Sequence, residues 1–123
     1  MENSKGEDAR PYDLEERTFE FARAVRAFVK TLPRTISNAE DVKQVVRASG
    51  SVGANYIEAN ESVSKKDFLL RARIARKEAK ESRYFLRLVD TGEDKSVERE
   101  RMNLIRESTE LLKILSSIIN KSK

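Results

Sequence analysis

Apolar side chains recur along most of the chain with the spacing of helix faces. Leu14, Phe21, Val25, Phe28 and Leu32, with Ala22 and Val29 beside them, predict a first helix over 14–32 that Pro33 ends. Asp13 and Glu16 before it form a D-x-x-E variant of the capping box. Ser37 and Glu40 form an S-x-x-E box, after which Val42, Val45, Val46, Ser49, Val52, Gly53, Tyr56 and Ala59 keep one face apolar or small. Asn60, which tolerates the left-handed conformation, is the expected close of this second helix, and Ser64 with Asp67 caps the next. The third helix, 65–90, carries Phe68, Ala72, Ala75, Ala79, Ser82, Leu86 and Val89 on one arc and stops before Thr91 and Gly92. After a cap expected at Ser96, Leu104, Ile105, Ser108, Leu111, Leu112, Leu115, Ile118 and Ile119 give a seven-residue pattern for a fourth helix. No segment alternates with a period of two, and the connections are short. The expected fold is all-α, an antiparallel up-down-up-down four-helix bundle over 14–123, preceded by a disordered leader at 1–13 that has no apolar period.

Two glycines disturb the second helix. Gly50 and Gly53 each cost about 1 kcal/mol against alanine in a helix interior. Such a G-x-x-G can clamp a nucleic-acid backbone in KH domains, but those need a sheet that this chain lacks. Val46, Gly50, Gly53 and Ile57 share a stripe, so the glycines are expected to lie in the helix where a second helix approaches closely.

Polar residues also fall out of place. Gln44, Arg47, Ser51, Asn55, Glu58 and Ser62 run along one arc of the second helix, as either a solvated face or a semi-buried hydrogen-bond network. Arg71 and Glu78 project into the apolar arc of the third helix. A carboxylate there needs a partner, and Arg47 is the best placed to meet Glu78.

Composition then narrows the chemistry. The 123 residues contain no cysteine and no histidine, which excludes thiolate and imidazole catalysis, disulfides and ordinary zinc sites. Ser62 to Lys65 spells S-x-x-K, but none of the accompanying motifs of serine beta-lactam enzymes is present, and no glutamate precedes a histidine as in di-iron bundles. No enzyme activity, cofactor or metal is expected. With no run of 18 apolar residues and no signal-like segment, a cytoplasmic location without membrane contact is expected.

Charge is abundant, 37% of residues, with a net of +4, and it is unevenly placed. Residues 65–87 hold nine basic and three acidic side chains. Lys66, Arg73, Arg76, Lys80, Arg83 and Arg87 fall within roughly 100° of one helix arc, and Arg23, Arg26 and Lys30 repeat the spacing on the first helix. Three readings stand open: a solubilising face, a surface for nucleic-acid phosphates, or a dock for an acidic protein partner. Leu70, Tyr84 and Leu88 lie outside the apolar arc of the third helix, more apolar surface than an isolated bundle covers, and point to self-association.

The stretch QVVRASGSVGANYIEANESVSKKDFLLRARIARKEAKESRYFLRLV, Gln44 to Val89, resembles the four-helix bundle proteins encoded in intervening sequences of 23S rRNA genes. Arg47, Ser51, Asn55 and Glu58 match that family's R-x-x-x-S-x-x-x-N-x-x-E pattern, and Lys65 to Phe68 its K-K-D-F; Asn60 stands where many members have glycine. The resemblance implies a cytoplasmic bacterial protein that assembles as a homopentamer and has no established enzymatic activity. Similar bundles accompany the reverse transcriptases of diversity-generating retroelements, so a reverse transcriptase is a further implied partner. The reading reached here is a non-catalytic oligomeric protein binding RNA or DNA through the basic face of its third helix. The alternative is a scaffold docking an acidic protein there.

Overall fold

The computed structural model describes residues 11–123, with side chains from Leu14 onward, as four helices: α1 (Pro11–Val29), α2 (Ile36–Asn60), α3 (Lys65–Leu88) and α4 (Lys95–Ser122). Residues 1–10 of the expected leader lie outside the described residues, while 11–13 are helical. The first helix is thus already formed at Pro11, ahead of the expected start, and Asp13 lies inside it instead of capping it. The helix also ends three residues earlier than expected: Thr31 N–H bonds the Phe28 carbonyl at 2.9 Å, tightening the last turn, and Leu32 remains buried beyond it.

Two other caps shift by two residues. Thr35, not Ser37, caps α2, its Oγ1 accepting from Asn38 N–H at 3.1 Å. Asp94, not Ser96, caps α4, its Oδ1 accepting from the N–H groups of Ser96 and Val97. The hydrogen bonds of Ser96, above all that from its own hydroxyl, hold the Asp94 carboxyl below the usual carboxylate range. Ser64 caps α3 as expected, accepting from Asp67 N–H at 3.1 Å. Asn60 stays helical. Among the described residues only Gly92 (φ 69°) and Glu93 (φ 68°), in the turn between α3 and α4, take positive φ.

Each helix touches its neighbours in the chain, α1 and α4 close the ring, and the diagonal pairs do not meet. Cross-helix partners run in opposite senses. Asn38, Arg47 and Asn55 of α2 meet Asp90, Glu81 and Arg71 in turn. Arg76 and Arg83 of α3 meet Ser116 and Thr109 of α4, and Asn60 and Val46 of α2 meet Glu15 and Arg26 of α1. These pairings make the bundle antiparallel.

The core is filled by Leu14, Phe21, Val25 and Phe28 from α1, Val45, Val52 and Tyr56 from α2, Ala75, Ala79 and Leu86 from α3, and Leu104, Leu111 and Leu115 from α4. Hydroxyls among them are satisfied by their own helix: Thr18 donates to Leu14 O, Ser82 to Glu78 O and Ser108 to Ile105 O, at 2.7 to 2.9 Å. The ends are pinned by polar side chains. Buried Asn38 donates to Pro33 O and Asp90 O and accepts from Asp90 N–H, all at 2.9 Å, joining both connections at one end of the bundle. Arg101 donates to the free carbonyls of Arg87 and Val89 where α3 stops, and its ion pair with Glu98 lowers that carboxyl's pKa. No helix among the described residues is long and apolar enough to cross a membrane.

Candidate nucleic-acid interface

The six cations expected on the third helix all lie on the outer side of α3 that faces α4. Lys66, Arg73, Lys80 and Arg87 are exposed and seven residues apart, so they form a straight row with about 10.5 Å between successive members. Arg76 and Arg83 sit nearer α4 and are partly buried. Their guanidinium groups donate to Ser116 Oγ and Thr109 Oγ1, both at 3.3 Å. Among the described residues none of the six is ion-paired with a carboxylate. A row of one sign without counter-charges presents a local positive potential to solvent.

The cations of α1 do not extend this row. α1 is diagonal to α3 across the bundle. Arg23 pairs with Glu20 at 3.4 Å and lies over the Phe19 ring, and Arg26 bonds the Ala22 and Val46 carbonyls between α1 and α2. Lys30 is exposed.

The polar arc of α2 breaks into two separate contacts with α3. In the first, Arg47 bonds Glu81 and stands 3.5 Å from Glu78 Oε1. The expected pair with Glu78 is therefore present, but Glu81 is the closer partner. Glu78 is 7% exposed, and its Oε1 has the ion pair but no hydrogen bond. Burial pushes its carboxyl above the usual carboxylate range, Arg47 pulls it down, and the neighbouring Glu81 adds to the rise. The Arg47 guanidinium is in turn raised, first by its hydrogen bond to Glu81 and then by Glu78. In the second contact Asn55 Oδ1 accepts from Arg71 at 3.4 Å, while its Nδ2 donates to Ser51 O at 2.9 Å within α2. Arg71 is exposed, because its long side chain carries the charge out of the apolar arc. Gln44 and Glu58 are exposed and join neither contact; Ser62 lies beyond the end of α2 and donates back to the Glu58 carbonyl of its last turn.

α2 passes unbroken through Gly50 and Gly53, and the two differ in what they permit. A Cβ on Gly53 would lie 2.8 Å from Thr18 Oγ1 and 3.2 Å from Thr18 Cβ, so α1 and α2 meet there too closely for any side chain. A Cβ on Gly50 would meet only the Arg26 guanidinium, at 3.2 Å. The tight approach expected of both belongs to Gly53 alone. Both glycines floor an open apolar groove of about 340 Å³ between α1 and α2, walled by Phe19 and Ile57. Leu70, Tyr84 and Leu88 are half-exposed along α3, as expected.

Ser116, Thr109 and Glu81 escaped the sequence reading. Short polar side chains have no periodic signature, although Glu81 follows Glu78 by three residues and so had to be its neighbour.

A family model described as 23S rRNA-intervening sequence protein matches residues 11–117. Among solved structures, the chain is similar to the 1.70 Å crystal structure of a protein of unknown function from the S23 ribosomal protein family of Bacteroides thetaiotaomicron. The TM-score is 0.72 and the identity 31%, covering 86% of this chain and 97% of that one. A comparison with curated proteins finds no match. With the matched segment running through all four helices and the bundle shared with a solved relative, the chain belongs to the 23S rRNA-intervening sequence protein family.

Proposed function

We propose that this protein is a non-catalytic, oligomeric, cytoplasmic nucleic-acid-binding protein that holds phosphate backbones, of RNA or DNA, along the α3 row. The observation that carries this reading is the row itself. Lys66, Arg73, Arg76, Lys80, Arg83 and Arg87 lie on one side of one rigid helix without a carboxylate partner among the described residues. A merely solvated helix face mixes both signs and pairs them at three- and four-residue spacing, as Lys43 with Glu40 and Lys113 with Glu110 do elsewhere in the bundle. A phosphate polymer supplies the counter-charge the row lacks, and its binding releases condensed cations.

Self-association belongs to the same reading. The α1/α2 groove leaves apolar surface uncovered, which a neighbouring copy in a ring would cover. Repeating the basic row around such a ring multiplies weak contacts through effective concentration. The family description agrees with a link to rRNA genes and adds nothing about binding.

Purification with and without nuclease tests the proposal. Nucleic acid should co-purify without nuclease, and the stripped protein should shift labelled RNA at low salt. A specific acidic protein retained on the nuclease-treated sample, with no RNA shift, would replace this reading by the scaffold.

A further inference from the structure

Beside the basic row α3 exposes Tyr84 and Leu88, four residues apart, and Leu70 further toward its N-terminus beyond the exposed Lys77. The row lies toward α4 and the two leucines toward α2. Tyr84 stands between them: four residues from Lys80 and Leu88 and three from Arg87, it neighbours all three on the helix surface. Its ring is 55% exposed and is braced edge-on by Phe85, with centroids 5.2 Å apart and planes at 87°. Phe19, the other strongly exposed aromatic side chain among the described residues, lies on α1, beneath Arg23 and away from the row.

A single-stranded nucleic acid has the same two-sided character, phosphates along one edge and flat apolar bases along the other. A duplex hides its base faces. We propose that α3 binds single strands, with Tyr84 as the platform on which one base stacks while Lys80 and Arg87 hold the phosphates on either side. This rests on the nucleic-acid reading above and names its substrate class. Phe85 fixes the ring before the strand arrives, which reduces the ordering cost of stacking. Leu88, one turn on, offers apolar contact to a neighbouring base. On this reading Tyr84 and Leu88 serve the strand and not self-association, which falls to the α1/α2 groove.

The test compares a labelled oligouridine with a matched blunt RNA duplex. Tyr84→Ala should weaken oligouridine binding by roughly 5- to 150-fold, leave duplex binding unchanged, and keep the salt dependence of the wild type. Tyr84→Phe, which retains the ring, should match the wild type. The chain has no tryptophan, so Tyr84→Trp supplies a lone reporter, whose emission should be quenched by oligouridine and not by the duplex. Oligouridine binding unaffected by Tyr84→Ala, or unquenched tryptophan in a variant that binds it, would overturn the proposal while leaving the phosphate row intact. Wild type that binds neither ligand at low salt would overturn the nucleic-acid reading itself. Light scattering in which Tyr84→Ala dissociates the assembly would assign Tyr84 to a neighbouring copy and overturn the proposal equally.

Discussion

Alanine substitutions at Gly50 and Gly53 should change stability in opposite directions. In a helix interior each gains about 1 kcal/mol in propensity. At Gly50 the new methyl meets only the end of the Arg26 side chain, 3.2 Å away, and that chain can swing toward solvent. Gly50→Ala should therefore stabilise by roughly 0.5 to 1 kcal/mol. At Gly53 the methyl would lie 2.8 Å from Thr18 Oγ1 and 3.8 Å from the Thr18 carbonyl carbon. Thr18 has no easy retreat: it is 1% exposed, β-branched, and its hydroxyl donates to Leu14 O and Glu15 O at 2.9 Å. Relieving the overlap means rotating Thr18 out of those bonds or parting α1 from α2, an overpacking cost of about 1 to 3 kcal/mol. Net of propensity, Gly53→Ala should destabilise by up to about 2 kcal/mol, and Gly53→Leu by more. In thermal melts of equal protein concentration each kcal/mol corresponds to roughly 3 to 6 °C. Thr18→Ala should largely rescue Gly53→Ala, giving a coupling of about 1 kcal/mol in a double-mutant cycle. If both glycine variants melt higher than wild type, the close approach at Gly53 does not exist and the reasoning fails.

Four further outcomes follow from other contacts. Asn38→Ala removes three part-buried hydrogen bonds that join both connections, and should cost about 2 to 4 kcal/mol in urea unfolding. Because burial raises the Glu78 pKa in the folded state, the fold favours the protonated form; stability should fall as pH rises through that raised pKa, and Glu78→Gln should abolish this component of a pH–stability curve. Asp94 and Glu98 have lowered pKa values and act in the opposite sense, losing their contribution only as pH falls below the usual carboxylate range. Arg47→Ala should cost roughly 1 to 3 kcal/mol near neutral pH, a figure reduced because Arg47 is half-exposed, and less as pH falls through the raised Glu78 pKa.

The four helices and their apolar faces were legible because burial on a helix imposes a 3.6-residue period wherever the chain packs. The burial of Glu78 and its pairing with Arg47 were legible for the same reason, as a misfit in that period. Helix ends were less so. Thr35 competes with Ser37, and Asp94 with Ser96, at sites two residues apart with equal capping chemistry, and Asn38 beside Thr35 is docked onto Asp90 in a distant connection, a contact no local pattern announces. Thr18 lies four residues after Leu14 and three before Phe21, on the buried face, but a hydroxyl side chain gives no apolar signal there. It became visible only through the hydroxyl's bonds to its own helix. The difference between Gly50 and Gly53 is equally tertiary, since both share one stripe and only the register of α1 decides which meets Thr18. For the basic row, the sequence supplied its sign and arc. What it could not supply was the position of α1, whose cations face another side, or the seats that Ser116 and Thr109 give to Arg76 and Arg83.

The central claim, that the α3 row engages phosphates, is tested most directly by the salt dependence of RNA binding in the wild type and in the double variant Arg76→Glu, Arg83→Glu, with unchanged helicity and melting confirmed first. Each phosphate neutralised on a single strand contributes about −0.7 to the slope of log K against log salt, so engagement of all six cations predicts a slope approaching about −4. The double variant should bind every sequence more weakly, with a slope shallower by about 1.5 or more. A wild-type slope near zero, or a slope and affinity that the double reversal leaves unchanged, would contradict the account.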